Sequence, residues 1–355
     1  MKEHKQMKRW SWSNKWRKMI KATAPVVLAA SLAACGGESG GSASSPSQTP
    51  ANSAEPAELT VLLDWYPNAV HSFLYAAESQ GYFKEAGLKV KLQPPSDTND
   101  PLKLVAAGQA DLAISYQKQI VLSRAEGIPL VSVAAIVRHP LNQLMALESS
   151  GAKSPKDLAG KKVGYPSFDL DVQTVKSMVE ADGGDPSKVE FVDVGWDLMP
   201  AMTTKRVDAI IGGYVNHEKL ILEKEGVKLQ TMNPMDYKVP DFYELVLATS
   251  DETLNKKGDE IRRFWEAATK GFEYTKQNPG PALKELLKQG SANFPLEKDI
   301  ETKSLEMLIP LMDDSGKAVF GQQDEASWKS AIEWIRNTGM INKDIQPSEV
   351  YKNLK

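Results

Sequence analysis

Two short stretches concentrate side chains able to grip a small molecule. The first runs Asp64-Trp65-Tyr66-Pro67-Asn68 and reaches His71. The second runs Gly212-Gly213-Tyr214-Val215-Asn216-His217-Glu218. Indole and phenol rings are flat apolar surfaces, and offset stacking adds about 0.5–1.5 kcal/mol beyond the area it buries. Asn offers a donor beside an acceptor, and a carboxylate accepts from an amine or a protonated ring nitrogen with charge-assisted strength. Together these groups suit a ligand that is apolar on its faces and polar at its edges. Tyr116 and Tyr165 join them, because each falls just after an apolar run that reads as a strand. The candidate ligand-binding residues are therefore Trp65, Tyr66, Asn68, His71, Tyr116, Tyr165, Tyr214, Asn216 and Glu218.

Each has a plainer reading. The tyrosines can close the ends of a sheet. Asn68 is a good helix cap, and His71 can sit at the floor of a cleft as a neutral structural group. Glu218, with Lys219 and Lys224 nearby, reads on composition alone as a solvated surface acid. Asp64 can orient a neighbour or a water. Catalytic patterns are missing: no Gly-x-Ser-x-Gly and no phosphate-binding Gly-rich loop occurs. None of His4, His71, His139 and His217 shows metal-ligand spacing. Asp182-Gly183-Gly184-Asp185 and Asp313-Asp314 lack the calcium-loop pattern and read as turns. The sequence thus points to binding without reaction, with no catalytic residue, metal or cofactor expected.

The elements that position these residues alternate. Thr60–Leu63, Leu112–Ser115, Leu130–Val137, Leu144–Leu147, Lys162–Tyr165, Val189–Val192, Ala209–Ile211, Val227–Met232 and Tyr243–Thr249 read as strands, and 88–92 alternates apolar with polar. Helical spacing covers His71–Gln80, Pro101–Ala107, Gln117–Glu126, Val172–Ala181, Leu198–Thr204 and Val215–Lys224. Ser154 is placed to cap the turn that follows. From Asp241 the chain turns mainly helical, with Ile261–Gln277, Pro281–Lys288, Glu297–Leu311 and Glu325–Asn337. The aromatics there, Phe264, Trp265, Phe272 and Trp328, read as core. Alternating strand and helix predicts an α/β chain of mostly parallel sheets flanked by helices. Two such units, joined by segments near residues 145 and 243, leave a cleft between them, a common place for ligands. The expected division is 58–145 with 243–355 as lobe 1 and 146–242 as lobe 2.

The first 34 residues do not belong to that fold. Residues 1–21 hold eight Lys and Arg against Glu3, and an apolar run from Ala22 to Ala34 follows, too short to span a bilayer stably. It ends Leu32-Ala33-Ala34-Cys35, which resembles the lipobox of bacterial lipoproteins. That resemblance implies a cleaved signal over 1–34 and lipidation of Cys35, the single cysteine of the chain. Residues 35–57, rich in Gly, Ser, Ala and Pro, read as a flexible tether. Of 43 Lys and Arg and 46 Asp and Glu, eight cations and one acid lie in the leader, so the remainder carries an acidic surplus of about ten. That balance argues against nucleic acid and against a polybasic hold on anionic lipid.

Several runs resemble one family. Gly81-Tyr82-Phe83-Lys84-Glu85-Ala86-Gly87-Leu88, the stretch from Leu104 to Ala113, Asp157 to Gly164 and Arg206 to Tyr214 are similar to the solute-binding proteins of ABC importers, over roughly residues 58 to 340. The resemblance implies the type II periplasmic-binding-protein fold, a ligand in the interlobe cleft, and an ABC permease with its ATPase as partners. The two stretches that open this section resemble the thiamine-precursor pyrimidine-binding (ThiY-like) family. That implies N-formyl-4-amino-5-aminomethyl-2-methylpyrimidine as ligand, uptake for thiamine salvage, Glu218 as the reader of the ring edge, and a lipid-anchored place on the outer face of the cell membrane. A riboflavin-like heterocycle or an aliphatic sulfonate in the same fold is an alternative. A thiamine-pyrimidine biosynthetic enzyme is a third reading, against which stands the absence of that enzyme's cysteine-rich iron motif.

Overall fold

The computed structural model describes residues 55–354. The leader, Cys35 and most of the expected tether lie outside them. Among the described residues, ten strands form two five-stranded sheets. In chain order the strands are β1 (Ala57–Leu62), β2 (Leu88–Gln93), β3 (Leu112–Ser115), β4 (Leu130–Val137), β5 (Leu144–Leu147), β6 (Lys162–Tyr165), β7 (Glu190–Asp193), β8 (Ala209–Ile210), β9 (Leu229–Met232) and β10 (Leu245–Ser250). The first sheet, that of lobe 1, has the order β2-β1-β3-β10-β4; the second, that of lobe 2, has β7-β6-β8-β5-β9.

The two orders are the same pattern. In each, four strands share one direction and one runs against them: β10 pairs antiparallel with β3 and β4, and β5 pairs antiparallel with β8 and β9. The sheets are therefore mixed, and mostly parallel only in strand direction. The odd strand has a common cause. β5 and β10 are the first strands after the chain passes from one sheet to the other, at residues 138–143 and 233–244. A chain arriving from the opposite lobe enters at the edge where the parallel strands end, so it must run against them.

Several element limits differ from expectation. β1 begins at Ala57, because parallel pairing with β2 runs from Ala57 opposite Leu88 to Leu62 opposite Gln93. The long helix after β10 begins at Asp251, where the Ser250 hydroxyl accepts from the Thr253 amide, and it is kinked at Lys257. The helix expected from Val215 begins at Glu218 instead. Residues 213–215 are held along the first crossing: the Val215 amide donates to the Leu141 carbonyl at 3.0 Å, and Asn142 bridges Tyr214. Ser154 caps its turn as expected.

One core cluster packs Phe73, Leu74, Phe264, Phe272, Leu305 and Leu308 against the first sheet, and another packs Leu198, Met202, Ile210 and Leu222 in lobe 2. Trp328 is fully buried, and it and Trp334 belong to the core, as does the helix Asp251–Gln277 through Phe264 and Trp265. That helix approaches Ser72–Ser79 closely at Gly271, where a Cβ would fall on the Phe73 carbonyl oxygen and the Ala77 side chain. The helix that follows the first cavity stretch is thereby pressed to its support. Gly271→Ala is expected to destabilise the fold by about 1–3 kcal/mol through overpacking, read as a lower urea midpoint with unchanged slope.

Candidate ligand-binding site

The carboxyl ends of β1, β3, β6 and β8 lead into loops that line a cavity open to solvent, with about 640 Å³ of empty space counting that solvent. The first sheet contributes Asp64, Trp65 and Asn68 after β1, then Tyr116, Lys118 and Gln119 after β3. Lobe 2 contributes Pro166, Phe168, Leu170 and Asp171 after β6, then Gly212, Tyr214, His217 and Glu218 after β8. The crossings add Asn142 and Glu244.

Five of the nine candidate residues line this space: Trp65, Asn68, Tyr116, Tyr214 and Glu218. Asn68 is the expected cap, and it also lines the cavity. Its side-chain oxygen accepts from the Val70 amide at 3.1 Å, capping the 3-10 turn Ala69–His71, while the residue faces the cavity. The other four stand outside the lining. Tyr66 is stacked on Phe294 with centroids 4.4 Å apart. His71 is fully buried behind Asp64: it receives the Asn68 amide on Nδ1 at 3.2 Å, which puts the ring hydrogen on Nε2, 2.9 Å from Asp64 Oδ1. Tyr165 packs against a core cluster that draws on both sheets, and its neighbour Pro166 lines the cavity instead. Asn216 donates to Ser304 Oγ at 2.9 Å, a contact between lobes.

Glu218 is 5% exposed and not a surface acid. It does not share a helix face with Tyr214, since Tyr214 precedes the helix. The carboxylate instead caps that residue's amide, Tyr214 N to Glu218 Oε2 at 2.8 Å. Its other oxygen lies 2.9 Å from His217 Nδ1, and His217 Nε2 lies 3.4 Å from Glu301 Oε1. Glu301 also takes the Ala69 amide at 2.7 Å. Burial alone would strip the proton from His217. The two flanking carboxylates outweigh it and raise the imidazole to about 10. An imidazolium therefore bridges Glu218 of lobe 2 to Glu301 on the lobe 1 helix Lys298–Met312.

Sequence reasoning missed the lining residues Lys118, Gln119, Asn142, Phe168, Leu170, Asp171 and Glu244, and the mouth residue Trp196. Trp196 follows β7 and meets Trp65 across the cleft at 4.1 Å between centroids. Trp196, an aromatic four residues past the run Val189–Val192, carried a weaker form of the signal that marked Tyr116. No such signal marked Asn142 or Glu244, whose roles come from chain crossings. Burial drives the phenols of Tyr116 and Tyr214 well above their ordinary values, with nearby acids pushing the same way, so both are neutral donors. Tyr214 Oη donates to Glu244 Oε1 at 3.3 Å. The cavity thus combines aromatic walls with four carboxylates, set against one lysine and one imidazolium.

Two lobes, returning strands and a cavity at the strand ends define a two-lobed α/β solute-binding fold. Its solved neighbours agree. The alkanesulfonate-binding protein SsuA of Xanthomonas axonopodis pv. citri, bound to MOPS, superposes with a TM-score of 0.64 at 13% identity, over 84% of this chain and 99% of that one. The aliphatic sulphonate-binding SsuA of Escherichia coli does so at 0.62 and 14%, over 84% and 99%. The chain belongs to the NMT1/THI5-like family, whose profile matches residues 68–282. It is 41% identical to the formylaminopyrimidine-binding protein of Halalkalibacterium halodurans over 297 residues, covering 83% of this chain and 90% of that protein. It is 32% identical to a putative thiamine biosynthesis protein of Haemophilus influenzae, covering 82% and 90%. At 28% identity it also matches a 4-amino-5-hydroxymethyl-2-methylpyrimidine phosphate synthase of Legionella pneumophila, covering 83% and 91%.

A group held protonated by the fold stabilises it below its unfolded value and stops doing so as pH rises through the folded one. His217, ordinarily near 6.5 and here about 10, contributes fully below pH 6.5 and loses that contribution between there and pH 10. The urea midpoint is expected to fall over this window in the wild type. The fall should be smaller in His217→Gln, the difference being the contribution of the imidazolium.

Proposed function

We propose that this protein is the solute-binding component of an ABC importer and captures a formylated aminopyrimidine of thiamine salvage. The observation that carries the reading is the cavity itself: aromatic walls from both lobes around an edge-reading set of acids, in a chain 41% identical to a formylaminopyrimidine-binding protein. Trp65 and Tyr214 flank the ring, Asn68 answers the formyl group, and Tyr116 and Glu218 complete the pocket. Tyr66, His71 and Asn216 support it from behind, and Tyr165 from the core cluster that draws on both sheets. Lobe 1 takes in β1 to β4 and the chain from β10 onward, and lobe 2 takes in β5 to β9, so that Leu144 and Met145, expected in lobe 1, fall in lobe 2; closure about the two crossings delivers the ligand to a permease and its ATPase. Cys35 carries the lipid anchor on the extracytoplasmic face of the membrane, with residues 35–57 as the tether.

The acids weigh against the sulfonate alternative, since a fixed negative charge calls for Arg or open helix N-termini. The synthase reading draws on family relatives with that name, but the highest identity reported above is to a binder. Calorimetry together with tryptophan fluorescence tests the proposal. The formylated aminopyrimidine is expected to bind at micromolar or lower concentration and taurine not at all. Trp65→Ala should weaken binding by about 10-fold, the worth of roughly 1.4 kcal/mol of lost stacking and burial. Heat with taurine alone, or conversion of added pyrimidine to product, would overturn it.

A further inference from the structure

The four carboxylates around the cavity are not equivalent. Glu218 is committed to the Tyr214 amide and His217, and Glu244 to the Leu141 and Asn142 amides and the Tyr214 hydroxyl. Asp64 gives one oxygen to His71, and Asp171 gives Oδ1 to Asn142 Nδ2 at 2.9 Å. Among the described residues no protein group donates to Asp171 Oδ2. The residue is 5% exposed and lines the cavity from the first turn of the helix Asp169–Ala181.

Its orientation is fixed by a relay. Asn142 Oδ1 accepts the Gly212 amide at 2.7 Å, which leaves Asn142 Nδ2 to face Asp171 and turns Oδ2 away from it. Space beside Oδ2 is kept by Gly212, at a φ of 99° that favours glycine; a Cβ there would lie 3.5 Å from Oδ2 and would collide with Pro166.

We propose that Asp171 is a specificity-determining residue: Oδ2 accepts a hydrogen bond from an amino group on the ring, so the site selects an amino-substituted pyrimidine over its oxo counterpart. The inference rests on the aminopyrimidine reading and names the part of the ligand that lobe 2 reads. An unmet acceptor in a buried site rejects a ligand that brings a second acceptor, because both are then desolvated without a partner. The groups facing Asp171 are Lys118 from the helix Gln117–Ala125, Glu244 ahead of β10, Asn142 of the first crossing, and Tyr116 after β3. Burial, reinforced by Glu244 and opposed by Lys118 and Asn142, lifts its carboxyl to about 6. It is mainly ionised at neutral pH and gains a proton, and with it a donor, on mild acidification.

Calorimetry on the full chain with the formylated aminopyrimidine and its 4-oxo analogue tests this. The wild type is expected to prefer the amino ligand by about 10-fold or more at pH 7.5. In Asp171→Asn the side-chain carbonyl can still accept from Asn142, which turns an NH2 toward the ligand. Amino-ligand affinity should then drop by about 10-fold or more while oxo-ligand affinity rises, so the preference inverts. A misfolded variant cannot produce that gain. A second readout needs no variant: the oxo analogue should bind the wild type more tightly at pH 5 than at pH 8. Amino binding by the wild type with an unchanged ranking in Asp171→Asn, or an oxo affinity that does not rise at pH 5, would overturn the inference and leave the binding function standing. Failure of the wild type to bind either pyrimidine would instead overturn the function reading, and this inference with it.

Discussion

One buried carboxylate fastens the two places where the chain passes between lobes. Glu244 lies at the end of the second crossing, and its Oε2 receives the Leu141 and Asn142 amides of the first at 2.7 and 3.0 Å. A buried charge without partners would be costly; here two amides and the Tyr214 hydroxyl satisfy it. The consequences run outward. With its backbone held, Asn142 can bridge the Gly212 amide and Asp171, and the pairing of residues 213–215 along the crossing sets Tyr214 in the wall. On the more exposed side His139 binds Asp241 at 2.9 Å, a second clasp between the crossings. Its hydrogen bond to that carboxylate raises the imidazole above its ordinary value.

Across the cleft the two lobes meet in contacts of very different worth. Lys224 with Glu297 and Asp299 is a solvent-exposed cluster, and such pairs contribute little. The less exposed contacts carry more: the half-buried pair Trp65 on Trp196, half-buried Tyr116 edge-on to buried Phe168, and buried His217 between Glu218 and Glu301. Removing one member of the last set would leave an uncompensated buried charge. The stretch 214–218 thus serves two purposes at once, walling the cavity and tying lobe 2 to the lobe 1 helix Lys298–Met312.

The alternation of strand and helix was legible because buried strands and amphipathic helices leave different periods, and β3, β4, β5 and β6 lie where their apolar runs place them. What the period could not show was direction. Nothing in Leu144–Leu147 or Leu245–Ser250 marks a strand that runs against its neighbours, because direction follows from where the chain arrives. The site was legible to the same depth. Aromatic residues just past strands are visible in a sequence, so Trp65, Tyr116 and Tyr214 could be found. Alternation misleads by one residue at Tyr165, where Pro166 takes the inward place. Asn142, Asp171 and Glu244 depend on contacts between residues 29 to 103 positions apart, and no local pattern announces them. Glu218 was found for a reason that did not hold, since a shared helix face with Tyr214 gave way to a carboxylate capping that residue's amide.

The distribution of donors and acceptors explains what closing must require. The protein supplies its own donors to Glu218 and Glu244, whereas Asp64 and Asp171, one from each lobe, each keep an oxygen to which no group among the described residues donates. In an open cleft water can serve those oxygens. Closure without a ligand would strip that water and bring two acids into the same small volume, an unfavourable step in a low-dielectric space. A ligand shifts the balance between open and closed only by the difference in its interaction with the two. A donor-bearing ring of the kind proposed would supply that difference, meeting an acceptor from each lobe while its faces fill the space between the aromatic walls. A ring of the same shape bearing only acceptors would fill the walls equally well and leave the acids unanswered. On that reading shape sets what can enter, and the two carboxylate oxygens that no described residue serves set what the lobes can close upon.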